Sequence, residues 1–407
     1  MTTAEAHSAT VFDSDFVQHL HANYERIRAE TPVRRLVTQL GLPVWVVTRY
    51  EEAREALGDP RLAKDADGTL RVLHAKLPLE ADGRIFSGDL SAHMLNTDPP
   101  DHTRLRKLVV KAFTPRRVEA LRPRVEAITA ELLDGMARES EVDLLDAFAF
   151  PLPIRVICEL LGVDESRRSD FRAWTNAILD ATEDRARADE AIGEMTRYLV
   201  ELIEAKRERP ADDLLTALLQ VSEDEDRLSV QELVSMVFLL LVAGHETTVN
   251  LIGNGVLALL RHPDQWAALR ADPDLVDGAV EEVLRYDGPV MHGTFRHTTA
   301  PVRLGGVEIP EGEAVWVGLS SANRDPRQFP DPDRFDIGRD AHGHVAFGHG
   351  IHFCLGAQLA RLEGQVALRR VVERFPDLRL AGSPDDVQWR FSSVIHGLRE
   401  LRVRPRG

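Results

Sequence analysis

The run Phe347-Gly348-His349-Gly350-Ile351-His352-Phe353-Cys354-Leu355-Gly356 holds three glycines and one cysteine in ten residues. Ala357 to Glu363 follow and read as the first turns of a helix. Glycine permits positive φ and lets the backbone approach a flat ligand closely. A cysteine at a helix start meets unpaired N–H groups and the positive end of the dipole, which favour a thiolate. That chemistry suits one soft bond to a metal. Two plainer readings stand beside it. A free cysteine is often a small buried hydrophobe. Alternatively, His342, His344, His349 and His352 with Cys354 offer the ligand types of a zinc site.

A second polar stretch, Ala243-Gly244-His245-Glu246-Thr247-Thr248, interrupts an otherwise apolar segment. Glycine inside a helix costs about 1 kcal/mol relative to alanine. A local break of pattern often marks a functional site. The plain reading is a threonine bonded back to its own helix. A third pair, His102 and Arg106, is four residues apart and shares one helix face.

These residues need elements to hold them. Ser229 and Glu232 make a capping-box start, and no proline follows until Pro263. A helix over 229–261 would run about 48 Å at about 1.5 Å per residue. Pro100 and Asp101 suit the opening of a helix carrying His102 and Arg106. Residues 17–30 show helical spacing. Leu36–Thr38 and Val44–Thr48 flank Gly41 as a hairpin, and Tyr50–Leu57 reads as a short helix ended by Gly58. Residues 61–95 read as a long loop with a short helix inside. Amphipathic helices over 119–220 are expected to break at Pro151, Pro153, Gly162 and Pro210. Cys158, in a helical pattern, is expected to be core. Helices are expected from Pro263 and from Asp272-Pro273. Short strands are expected at 302–304, 307–309 and 314–319, separated by Gly305-Gly306 and by Gly312.

The loop resembles the haem-binding loop of the cytochromes P450, Phe-x-x-Gly-x-x-x-Cys-x-Gly, at Phe347, Gly350, Cys354 and Gly356. The central stretch resembles that family's oxygen-activation motif. Glu282-x-x-Arg285 and the later Phe329–Phe335 run resemble its structural network, with Arg334 as third member. The resemblance spans about residue 17 to the end. It implies a mainly α P450 fold with small β-sheets and a long central helix crossing the molecule. The chain reads as one domain over 1–407, with a β-rich lobe near 30–60 and 295–320.

The resemblance also implies roles. Cys354 would be the axial thiolate of haem b. His102, Arg106, Arg296 and His352 would meet the propionates, and Phe347, Gly348 and Gly356 would shape the loop beneath. Ala243 and Gly244 would leave room over the haem. Thr247 would hydrogen-bond oxygen there, and Glu246 would relay protons. Substrate contacts would come from Phe86, Met94, Leu95, Trp174, Leu179, Leu240, Val290, Met291, His292 and Val394. Electrons from NAD(P)H would arrive through a ferredoxin reductase and a ferredoxin. Arg104, Lys107, Lys111, Arg116 and Arg117 are the docking candidates, since 102–118 holds six Lys/Arg and no Asp/Glu. The implied activity is hydroxylation or epoxidation of a bulky hydrophobic small molecule of macrolide or polyketide type. Steroid, vitamin D-like or xenobiotic substrates are the alternative. Peroxide-driven or ring-forming chemistry, and a non-catalytic haem-binding protein, are further alternatives. The acid–alcohol pair at 246–247 argues against both.

Bulk properties narrow the class. The chain has 407 residues, a net charge of −16 and two cysteines, Cys158 and Cys354. The acidity argues against a nucleic-acid partner. Two cysteines make no disulfide framework, so a reducing cytoplasm is expected. No secretory h-region is seen at the start, and no run was expected to reach the roughly 20 apolar residues of a membrane span, so no anchor is expected.

Overall fold

The computed structural model describes residues 10–77, 90–179, 184–221 and 228–406. The chain begins with β1 (Val11–Phe12), α1 (Ser14–Gln18), α2 (Leu20–Glu30), β2 (Val33–Thr38), β3 (Pro43–Val47) and α3 (Tyr50–Gly58). β2 and β3 pair antiparallel about Gly41, whose φ of 82° supplies the turn. β4 (Leu62–Ala63) and α4 (Ala66–Lys76) follow. This helix is longer than the sequence pattern implied. Asp65 caps it by accepting from the Gly68 N–H, a local signal hidden among charged residues.

Next come α5 (Asp101–Ala112), α6 (Pro115–Glu119), α7 (Arg122–Met136), β5 (Val142–Asp143) and α8 (Pro151–Leu161). Pro151 and Pro153 do not break a helix; they begin one. In the first turn their missing N–H groups have no helical partner to lose. Gly162 ends α8 in the left-handed region, as expected. Cys158 is fully buried in the core. Then come α9 (Arg168–Leu179), α10 (Arg185–Glu208) and α11 (Leu214–Val221).

α12 (Val230–Arg261) is the 32-residue spine. Ser229 and Glu232 form both halves of the capping box. The helix packs on α8, α10, α14 and α16. It is long and apolar enough to cross a membrane, yet 72% of its apolar window is buried inside the protein. Packing on all sides explains an apolar pattern with little amphipathic contrast.

α13 (Pro263–Ala271) and α14 (Val276–Asp287) lead to β6 (Arg296–Thr298), β7 (Val302–Leu304), β8 (Val307–Ile309), β9 (Ala314–Val317) and α15 (Leu319–Ala322). The main sheet runs β1-β2-β3-β9-β6-β4, so distant segments meet through the parallel β3–β9 pair. α16 (Ala357–Arg374), β10 (Arg379–Leu380) and β11 (Arg402–Arg404) complete the chain.

One network ties α14 to the loops before Cys354. Glu282 and Arg285 are both fully buried and bond bidentately at 2.7 and 2.8 Å. Arg285 also donates to the carbonyls of Asn323, Pro332 and Arg334. The expectation for Arg334 needs correcting. Its guanidinium is exposed and lies 3.4 Å from Asp336, and only its carbonyl joins the network. The third cation is Arg339, whose Nε is 3.4 Å from Glu282 Oε1.

Candidate functional site

The Cys354 loop folds back on itself. The Cys354 N–H donates to the Phe347 carbonyl at 2.9 Å, and Gly348 N–H to Val345 at 2.8 Å. Gly348 and Gly350 take φ of 74° and 73°. A Cβ on Gly350 would stand 3.1 Å from the Leu57 carbonyl, so glycine is required there on two counts. Arg361, at the start of the second turn of α16, lies over the Phe347 ring at 4.6 Å and pairs with Glu281 at 2.6 Å. The loop is thus pinned to α14 and α3.

Cys354 opens onto a cavity holding about 1430 Å³ of empty space, part of it open to solvent. Its walls are mostly apolar. The sulfur's environment differs from the sequence expectation. Low-polarity surroundings push the thiol above its ordinary value, and the Gly356 N–H with Arg106 and Arg361 recovers only part. A coordinated metal would deprotonate the thiol outright.

One end of this cavity gathers cations. Lys64, His102, Arg106, Arg296 and His352 all line it. The His102 and His352 rings are 4.3 Å apart. Burial, and then Lys64 and the other cations, push His352 down to about 2. Burial likewise drives Lys64 well below its ordinary value, with Arg296 adding to it. Arg296, buried with Nη1 on the Leu62 carbonyl at 3.0 Å, is lowered to about 10 mainly by desolvation. His102 Nε2 and His352 Nε2 are buried without hydrogen-bond partners. Orphaned donors beside crowded cations suit an anionic ligand, as haem carboxylates would provide. A planar macrocycle over Cys354 with its carboxylates at this end fits the residues present. Lys64 carried no sequence signal; only the fold brings it to Thr294 and the cation cluster. Arg106 also donates to the Phe353 carbonyl at 2.7 Å, bracing the loop itself.

α12 forms the opposite wall through Leu239, Leu240, Ala243, Gly244, Thr247 and Thr248. A Cβ on Gly244 would meet Ile157 of α8 at 3.1 Å. Its missing side chain therefore serves the close α8–α12 contact as well as the cavity. Thr247 Oγ1 donates to the Ala243 carbonyl at 2.8 Å, leaving its lone pairs free to accept on the cavity side. The back bond is present, and Thr247 lines the cavity. Glu246 does not line the cavity. It is buried on the neighbouring face and pairs with Arg390, a residue that sequence reasoning missed.

Among the expected substrate contacts, Met94, Leu95, Leu240 and Val290 line the cavity. Gly293, Thr294 and Leu239 join them. His292 does not. It is fully buried, stacks on Trp316 at 4.7 Å, bonds the Ser393 carbonyl through Nδ1 at 2.6 Å and meets the Tyr24 hydroxyl through Nε2. Residues 290 and 292 make only isolated bridges, to Ile395 and Gly318, and the contacts with Trp316, Ser393 and Tyr24 hold the His292 ring away from the cavity that Val290 lines. Met291 is likewise fully buried behind the wall, and its N–H bonds the Val394 carbonyl at 2.8 Å. Val394 does not line the cavity either. Trp174 points between α9 and α10, with Nε1 on Glu194 at 2.7 Å. Leu179 ends α9, and its side chain lies outside the described residues, as does Phe86 entirely.

The His/Cys cluster of the loop does not converge as a zinc site would. His344 bonds Glu281 at 3.2 Å, while His352 sits against His102. Among the described residues the one grouping with metal-ligand spacing lies elsewhere.

Comparisons with known proteins agree with this geometry. The cytochrome P450 family model matches residues 157–384. Cytochrome P450 107B1 of Saccharopolyspora erythraea is 62% identical over 406 residues, covering 100% of both chains. The vitamin D(3) 25-hydroxylase of Pseudonocardia autotrophica is 50% identical over 408 residues, covering 99% of this chain and 98% of that protein. The tirandamycin C-bound structure of the P450 monooxygenase TamI has 51% identity and a TM-score of 0.90, covering 97% of this chain and 99% of that one. A cysteine on the floor of an apolar cavity, a cationic end suited to carboxylates and full-length relatives together show that this chain belongs to the cytochrome P450 family of haem-thiolate monooxygenases.

Proposed function

We propose that this monooxygenase hydroxylates or epoxidises a bulky hydrophobic metabolite of polyketide type, with Cys354 as haem ligand. The observation that carries the reading is the mostly apolar cavity at Cys354, bounded by Met94, Leu95, Leu240 and Val290. Bound there, haem supplies O2 activation, using electrons from NAD(P)H delivered by redox partners.

The chain's own residues do the rest. Lys64, His102, Arg106, Arg296 and His352 hold the carboxylate end. Thr247 orders a hydrogen bond at the α12 wall. Glu246 moves a proton toward it from the Arg390 side, where Arg390 is one-third exposed to solvent. Exposed Lys107, Lys111 and Arg116 offer a basic surface for an acidic ferredoxin. Arg104 and Arg117 are engaged with Glu232 and Asp212 and contribute less. A cytoplasmic location goes with a reducing redox partner.

A vitamin D-like substrate is the second reading, favoured by the likeness to the Pseudonocardia hydroxylase. The test is a spin-state titration of the ferric protein against macrolactones, linear polyketides and vitamin D3, after a ferrous-CO spectrum. A band near 450 nm is the expectation for a thiolate ligand. A type I shift and oxygenated product with a polyketide support the proposal. Saturation by vitamin D3 alone would transfer it to the second reading.

A further inference from the structure

At the C-terminal end of α14, three residues from three segments meet. His21 comes from α2, Asp287 ends α14, and His396 lies in the C-terminal turns. One donor atom from each lies within 4.8 Å of the other two. His21 Nε2 is 2.6 Å from Asp287 Oδ1. His396 Nε2 is 3.5 Å from the same oxygen and makes no hydrogen bond. Its Nδ1 also has no partner, although the residue is 1% exposed.

A buried imidazole with Nδ1 unpartnered and Nε2 held only by a long 3.5 Å contact to a carboxylate is costly unless something completes its bonding. Packing accounts for the ring faces alone, since His396 stacks on Trp389 at 3.8 Å. The ring edge points into a cleft shared with His21, His262, Arg324 and Asp385. His21, one-quarter exposed, borders the entry path.

We propose that His21, Asp287 and His396 form a binding site for a divalent transition-metal ion of the zinc type. Two imidazoles and a carboxylate are borderline ligands that suit zinc, with water completing the shell. The ion replaces the proton shared between His21 and Asp287 and gives His396 its missing partner. Arg324 opposes it, with Nη2 3.6 Å from Asp287 Oδ1, but that cation is also shared with Asp333 at 2.9 Å. Asn254 donates to the backbone carbonyls of both Asp287 and His396 at 2.9 Å, so the two ligand-bearing segments are already held together. Because Val290 of the haem cavity bridges to Ile395, an ion here would brace the outer side of the substrate wall.

The test uses untagged, haem-loaded protein dialysed against micromolar Zn2+, followed by metal analysis per haem. Wild type should retain close to one zinc per haem and unfold at a higher temperature with zinc than without. His21→Ala, at a partly exposed position, should lose the ion and the shift while keeping its haem. His396→Gln should do the same. His342→Ala should change neither. Wild type retaining no zinc would overturn the site. Zinc retained in full by haem-loaded His21→Ala would also overturn it. Should His396→Gln fail to load haem, His21→Ala decides alone.

Discussion

Arg285→Leu removes the cation from the most deeply buried ion pair in the described structure. Glu282 and Arg285 are 0% exposed, with two short bonds between them. The variant leaves a buried carboxylate whose remaining help is Arg339 at 3.4 Å and the Asp336 N–H at 3.0 Å. It also orphans the carbonyls of Asn323 and Pro332. Breaking one side of a buried pair costs about 3–5 kcal/mol. An orphaned buried carbonyl adds about 1 kcal/mol. With two such carbonyls we expect a loss of about 5–7 kcal/mol, a large share of the roughly 5–15 kcal/mol that folded domains hold in reserve. The damage should reach the haem. Asn323 Oδ1 accepts from the Val345 N–H at 2.7 Å, and Val345 leads into the Cys354 loop. The assay is denaturant unfolding followed by far-ultraviolet circular dichroism and by Soret absorbance. Arg369→Gln, which breaks an exposed pair with Glu373, should cost under about 1 kcal/mol. Glu282→Gln combined with Arg285→Met should recover part of the loss, giving a coupling of about 2 kcal/mol or more. A loss under about 1 kcal/mol for Arg285→Leu, or strict additivity in the double variant, would refute the argument.

Other outcomes follow from the same geometry. Thr247→Ala should lower product formed per NAD(P)H while electron consumption continues; unchanged coupling would remove Thr247 from the proton path. Lys64→Met should speed haem transfer to apomyoglobin without abolishing the 450 nm band, because it weakens the carboxylate end alone. Met94→Ala should weaken the substrate spin-state titration several-fold, whereas Trp174→Ala should change it little. Burial lowers His292 from 6.5 to about 4. Between those values the unfolded chain binds a proton that the native one refuses, so stability falls as pH drops from 6.5 toward 4. That window carries on the order of 3 kcal/mol from this residue, and His292→Phe should flatten it in a pH series of unfolding midpoints.

The chemistry-bearing loop, the spine helix and the hairpin were legible in the sequence, because each is specified by neighbours in the chain. Positive φ at Gly348 and Gly350, the Ser229–Glu232 box and the Gly41 turn are local facts. Cys354 and Thr247 could be singled out for the same reason: each breaks the pattern around it. Tertiary structure decided where other side chains point. Arg339 rather than Arg334 reaches Glu282, a choice between two arginines of one loop that chain spacing does not make. His292 faces Tyr24 and Trp316 instead of substrate, because packing against segments far away in the chain selects its side. Glu246 turns to Arg390 and Lys64 joins the carboxylate end through pairings more than a hundred residues apart in the chain. Spacing within one element follows from backbone geometry. The partner that a side chain finds across the fold depends on every element packed between them.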